Sequence, residues 1–188
     1  MKHNTRRETI KKLSLFAGFC VTGGNLANAN SSAFQTTKGL VLKAEEGEVW
    51  YIGNTRKAEV IIKVAKSDSY EPEISLLSER IPVGDAIPVH KHGNEEEFLF
   101  VQKGQIEIYL DDETHEGNAG DLIYVPRNTW HGFKNKGKEE VILFFGYSPA
   151  GFEAYFRAIG TKHIDDQLGF TAKDWQQTNQ KYGVVYKK

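Results

Sequence analysis

The chain has 188 residues, 24 Lys+Arg against 25 Asp+Glu, a net charge of −1, 39% hydrophobic and 12% aromatic residues. That length predicts one domain, with roughly 68–70% of the unfolded surface buried on folding, and the apolar content excludes a disordered chain. With 18 Gly, 5 Pro and a single Cys, collagen-like and proline-rich classes, disulfide frameworks and cysteine-rich zinc sites are all excluded, and no basic excess points to nucleic acid.

Residues 1–29 have the three parts of an export signal. Basic residues (Lys2, Arg6, Arg7, Lys11, Lys12) precede the apolar run Leu13–Val21, and Ala27-Asn28-Ala29 ends the segment as an Ala-x-Ala cleavage site. The run is far shorter than the ~20 residues that span a bilayer, so no membrane anchor is expected in the mature form. Thr5-Arg6-Arg7-Glu8-Thr9-Ile10-Lys11 resembles the twin-arginine export motif. The alternative is a basic amphipathic helix that stays attached; the Ala-x-Ala ending favours export to the periplasm or beyond. Cleavage after Ala29 removes five bases, one acid and Cys20, which leaves a mature chain of net charge −5 with no thiol.

Residues 30–38 are polar and read as a loose segment. From there an all-β body is expected over 39–147, with strands near 39–43, 47–53, 58–65, 72–81, 87–91, 96–102, 105–111, 121–126, 130–135 and 139–147. The breaks carry turn chemistry, as at Gly53-Asn54, Lys103-Gly104, Asp111-Asp112 and Asn118-Ala119-Gly120. Many short strands at this spacing predict a sandwich or barrel, and Glu96–Val101 reads as apolar on both faces. Residues 148–188 form a helical extension. Ala150–Phe156 is expected to be a short helix, with Phe152, Tyr155 and Phe156 packing on the barrel. A second helix is expected to start near Thr171 or Asp174 and stop before Gly183.

Six histidines are present. His90 and His92 lie two apart, so on a strand both imidazoles leave the same face and can converge on one ion. Alone, His-x-His is more often a polar patch on an exposed strand. Here it sits in a longer frame: Gly84, five residues, His90-x-His92, four residues, Glu97, six residues, Gly104. A second frame runs Gly120, five residues, Pro126-x-Asn128, two residues, His131, three residues, Asn135.

These two frames resemble the two motifs of the cupin superfamily. The resemblance covers residues 84–135 tightly and about 39–185 more loosely. It implies a jelly-roll β-barrel with short C-terminal helices, and one divalent transition metal held by His90, His92, Glu97 and His131. A mixed nitrogen and oxygen donor set of that kind suits Fe, Mn or Ni, with Zn, Co or Cu as alternatives. The family's usual Gly is replaced by Asn128, a residue that also tolerates the left-handed conformation. Six residues before Gly104 select Glu97 over its neighbour Glu96. Glu95 and Glu96 then read as a solvated turn, His115 as an exposed hairpin tip and His163 as surface.

GDLIYVPRNTWHGFKN and the following Tyr147–Glu153 resemble the branch of small cupins similar to quercetin 2,3-dioxygenases. That branch implies a small-molecule substrate, an enol, flavonol or other aromatic, with dioxygen as partner, and Glu97 as the base. It also implies a homodimer. Two alternatives stay open: an oxalate-type oxidase, decarboxylase or isomerase, for which no cationic anchor is evident, and a non-catalytic metal- or small-molecule-binding cupin.

Overall fold

The computed structural model describes residues 39–53, 56, 58–67 and 70–188; the expected export signal (1–29) and the polar 30–38 segment lie outside the described residues. In chain order the elements are β1 (Glu48–Ile52), β2 (Ala58–Val64), β3 (Ser75–Ile81), β4 (Ala86–His92), β5 (Glu96–Lys103), β6 (Gln105–Leu110) and β7 (Glu113–Asn118). There follow β8 (Leu122–Val125), β9 (His131–Lys134), β10 (Val141–Ser148), α1 (Glu153–Ile159), β11 (Gly160–Thr161), α2 (Ala172–Lys181) and β12 (Val184–Tyr186).

The strands form two antiparallel sheets. One has seven strands in the order β11-β1-β2-β3-β10-β5-β8, the other five in the order β12-β4-β9-β6-β7. The chain passes back and forth between the sheets, so β3, β10 and β5 lie side by side although far apart in sequence. That is a jelly roll, which leaves few sheet edges bare. Alternation places the core. On β3, Leu77 and Ile81 point inward between outward Leu76, Ser78 and Arg80; on β6, Ile106 and Ile108 do the same. These side chains meet Val60, Val101 and Leu143 between the sheets.

Two turns show why particular residues stand where they do. Gly104 makes the one-residue turn from β5 in one sheet to β6 in the other at φ 82°, where a Cβ would lie 3.1 Å from the Glu140 carbonyl oxygen. Asn128 has φ 64°, the left-handed conformation expected of it, and its N–H donates to the His92 carbonyl at 2.8 Å. That bond ties the turn before β9 to the end of β4.

Several expectations are corrected. Residues 39–43 form no strand, because both edges of β1 are taken by β2 and β11. The segment instead turns over Lys63, whose Nζ donates to the carbonyls of Lys43 (3.2 Å), Ala44 (2.5 Å) and Glu46 (2.6 Å). β5 is not apolar-buried on both faces: Glu97, Leu99 and Val101 point in, whereas Phe100 points out and is 41% exposed. His115 sits on β7 rather than at a hairpin tip, which is Asp111-Asp112 with Asp111 at φ 51°. β7 escapes sequence reading because only Gly117 of its six residues is buried. The first helix starts at Glu153, three residues later than expected. Gly151 adopts φ 137°, and the Glu153 carboxylate accepts from its N–H at 2.8 Å and from that of Lys66 at 2.6 Å. α2 matches its expected limits, and Thr171 and Asp174 form a reciprocal capping box at its start.

Candidate metal centre

β4 presents His90 and His92 to the barrel interior, and β9 brings His131 opposite His90. One ring nitrogen from each of the three buried imidazoles lies within 4.8 Å of the others. The rings are oriented by backbone carbonyls: His90 Nδ1 is 2.7 Å from the Pro88 oxygen, and His131 Nδ1 is 2.9 Å from the Thr129 oxygen. A carbonyl only accepts, so each Nδ1 carries the proton and each Nε2 keeps its lone pair. This is how histidine ligands are usually oriented from behind.

Glu97 is buried on β5, with Oε2 3.0 Å from His131 Nε2 and 3.6 Å from His92 Nε2. Its neighbour Glu96 points outward, accepting from the Tyr124 hydroxyl at 3.0 Å and lying 3.9 Å from Arg127. Tyr147 pairs with Glu97 across β10 and β5, and both line the same cavity. Burial and the Glu97 charge push the phenol well above its ordinary range.

The electrostatics of the group are those of a site waiting for a cation. Burial alone would raise the Glu97 carboxyl, but His131 and His92 outweigh it and hold Glu97 well below the usual carboxylate range. Burial would lower His131, and Glu97 reverses this and raises it. His90 gains no such partner: burial, then the neighbouring His131 and His92, push it down to about 3. Four buried atoms here have no hydrogen-bond partner: His92 Nδ1 and Nε2, His131 Nε2 and Glu97 Oε2. Unsatisfied buried polar atoms are costly, and four at one point fit a metal ion that would satisfy them.

His90 and His92 open on a cavity of about 820 Å³. Its walls are largely apolar, with Leu99, Phe133, Phe145 and Phe152 near the histidines and α1 and α2 contributing Phe156 and Trp175. The aromatic stripe of α1 therefore packs on the barrel and lines the cavity as well. Sequence reading missed the cavity's other charged residues. Arg56, Glu79 and Asp85 all line it, whereas Arg80 faces outward among Glu45, Glu59 and Glu140. Glu79 was findable, since it shares strand parity with Leu77 and Ile81. Arg56 and Asp85 carry no such signal.

A two-sheet jelly roll with histidines of two motifs converging inside it defines a class of small metal-site barrels. This chain belongs to the cupin family. The profile of the family, described as "Cupin domain", matches residues 77–147. An uncharacterized protein of Methanocaldococcus jannaschii is 33% identical over 101 residues, which span 53% of this chain and 81% of that protein. The quercetin 2,3-dioxygenase of Bacillus subtilis is 28% identical over 97 residues, covering 52% of this chain but only 28% of that enzyme. Among solved structures, an RmlC-like cupin from Shewanella frigidimarina superposes with a TM-score of 0.50 at 21% identity, over 62% of this chain and 96% of that one.

Proposed function

We propose that the protein is an exported, metal-dependent dioxygenase acting on an enol, flavonol or related aromatic small molecule. The observation that carries this reading is the convergence of His90, His92 and His131 beside the buried Glu97 carboxylate, at the wall of a largely apolar cavity. Partial similarity to a quercetin 2,3-dioxygenase supports the reaction class.

His90, His92, His131 and Glu97 would hold one divalent ion, which when bound supplies Lewis acidity toward a substrate oxygen. The remaining work belongs to the chain. Glu97 is the base: its depressed basicity in the metal-free site suits it to ligation, and it accepts the enol or phenol proton of a substrate seated beside it. Phe133, Phe145 and Phe152 keep water from the reacting end and offer ring faces and edges to a flat substrate.

The experiment is metal analysis of anaerobically purified protein, followed by dioxygen uptake with a panel of enols and flavonols. About one Fe, Mn or Ni per chain, lost in the His90→Ala, Glu97→Ala double variant, and uptake with at least one substrate are expected. Bound metal without uptake would leave the non-catalytic reading; no metal in either protein would remove the catalytic one. Export is tested by exchanging Arg6 and Arg7 for Lys, which should trap the chain in the cytoplasm. A homodimer, the assembly the family resemblance implies, is tested by sedimentation velocity; a single monomeric species would refute it.

A further inference from the structure

Among the described residues, the charged side chains lining the cavity besides the histidines are Glu97, Glu79, Asp85 and Arg56. Three carboxylates thus face one guanidinium. Arg56 is already committed: Nη2 is 2.7 Å from Glu79 Oε1 and 3.0 Å from Asp85 Oδ2, and Nε donates to both Asp85 oxygens at 3.1–3.2 Å. Glu79 is 4% exposed, and the side chains of Asp85 and Arg56 are mostly buried. A guanidinium does not deprotonate; burial raises the Glu79 carboxyl, Arg56 opposes that shift, and the Arg56 cation is already held by both carboxyl groups.

The cluster is in electrostatic reach of the rest of the cavity. The charge of Glu97 is felt by Glu79, and the charges of Arg56 and Glu79 are felt by the Tyr186 hydroxyl. The Tyr186 ring lies 5.6 Å from that of His90, and its hydroxyl is 3.2 Å from that of Tyr155. A ligand reaching from the histidines into this cavity therefore meets carboxyl oxygens and a guanidinium already held by two of them.

We infer that the Arg56–Glu79–Asp85 cluster sets ligand selectivity: it admits neutral ligands that donate a hydroxyl hydrogen bond at the cluster and turns away those with an anionic group there. This rests on the proposed function only in seating one end of the ligand at the histidines. Carboxylates accept and cannot donate, so a hydroxyl is satisfied by Glu79 or Asp85 while a carboxylate, sulfonate or phosphate is repelled. The same balance speaks against a small dianion such as oxalate as substrate.

The test uses two ligands with the same naphthalene ring. One carries hydroxyls at opposite ends; the other carries one hydroxyl and, at the far end, a sulfonate, a weak ligand for metal ions. Binding to the metal-loaded full chain is followed by tryptophan fluorescence, since Trp175 lines the cavity. Wild-type protein should bind the diol at least tenfold more tightly. Asp85→Asn and Glu79→Gln should each narrow the ratio by about tenfold, the expected order for removing one nearby charge. Thermal unfolding confirms that each variant is folded, and Asp85, outside the strands, serves if Glu79→Gln does not fold. Equal affinities in wild type, a preference for the sulfonate, a ratio unchanged in a folded variant, or no binding of either ligand would each overturn the inference. Diol preference without dioxygen uptake on any enol would sink the dioxygenase reading and leave the selectivity standing; uptake without the preference would do the reverse.

Discussion

His90 should make the metal-free protein sensitive to mild acid. In the unfolded chain its imidazole takes up a proton near 6.5, whereas in the folded protein burial, then His131 and His92, push that uptake down to about 3. Between those values the unfolded chain binds a proton that the folded one refuses, so stability rises with pH across the window and falls as acid is added. One pKa unit corresponds to about 1.4 kcal/mol, so moving from neutral pH to about pH 4.5 should cost about 2–3 kcal/mol through this one ring. His131 does not share the window. Its folded value is raised, so below 6.5 both states hold its proton, and its contribution is lost only as pH rises through the folded value. Glu97 is depressed, and its contribution is lost only below the ordinary carboxylate range.

The assay is urea unfolding of chelator-stripped protein at neutral pH and about pH 4.5, followed by far-ultraviolet circular dichroism. His90→Asn is the reference, since its side-chain N–H stands in for the Nδ1–H that Pro88 accepts. Comparing the two proteins cancels every other group that titrates over the same range. Wild type should lose about 2–3 kcal/mol more than the variant. Equal losses would show that the folded ring takes up its proton as readily as the unfolded one, and would refute the burial argument.

Three further outcomes are expected. Asn128→Ala should destabilise by about 1 kcal/mol because its φ of 64° is left-handed, whereas Asn128→Gly should be near neutral; equal urea midpoints for the two variants would contradict this. Gly146→Ala should cost about 3 kcal/mol or abolish folding, since a Cβ would fall 2.4 Å from the Ser75 carbonyl oxygen and 2.5 Å from Phe98 Cζ; a thermal midpoint near wild type would show that the sheet can yield there. Glu97→Gln should lower the His131 proton affinity, because burial is then opposed only by the Thr129 carbonyl and the Asp111 charge, and NMR titration of the ring in metal-free protein would show the fall or its absence.

What was readable in the sequence follows from how far the information must travel. His90 and His92 need only the two-residue period of a strand to share a face, and Glu97 needs only the fixed count to the Gly104 turn. His131 depends on a turn at Asn128 that the local residue type permits, and the structure shows that turn pinned to β4 by a backbone bond. β11 and β12 are different. Gly160–Thr161 is a strand only because β1 offers an edge, and Val184–Tyr186 only because β4 does. Phe100 misled for a related reason: an apolar residue on a strand marks an interior face only where the sheet is covered on that side, which alternation does not report.

The Arg56–Glu79–Asp85 cluster shows where sequence reading reaches its limit. Arg56 is 23 residues from Glu79 and 29 from Asp85. Each residue alone reads as surface charge, the bland interpretation that is right for most Arg, Glu and Asp. Parity with Leu77 and Ile81 turns Glu79 inward, and a buried carboxylate then requires a cation whose position only barrel closure can supply. Closure supplies Arg56, but with Asp85 already on it, so the pair is not neutral. His90 and His92 thereby share one cavity with, among the described residues, three carboxyl groups and one guanidinium. A divalent cation at the histidines would offset part of that acidic excess. Arg56, already held by Glu79 and Asp85, would offer an anionic ligand no open anchor, so the proposed metal binding and the proposed ligand selectivity rest on the same enclosed carboxyl groups.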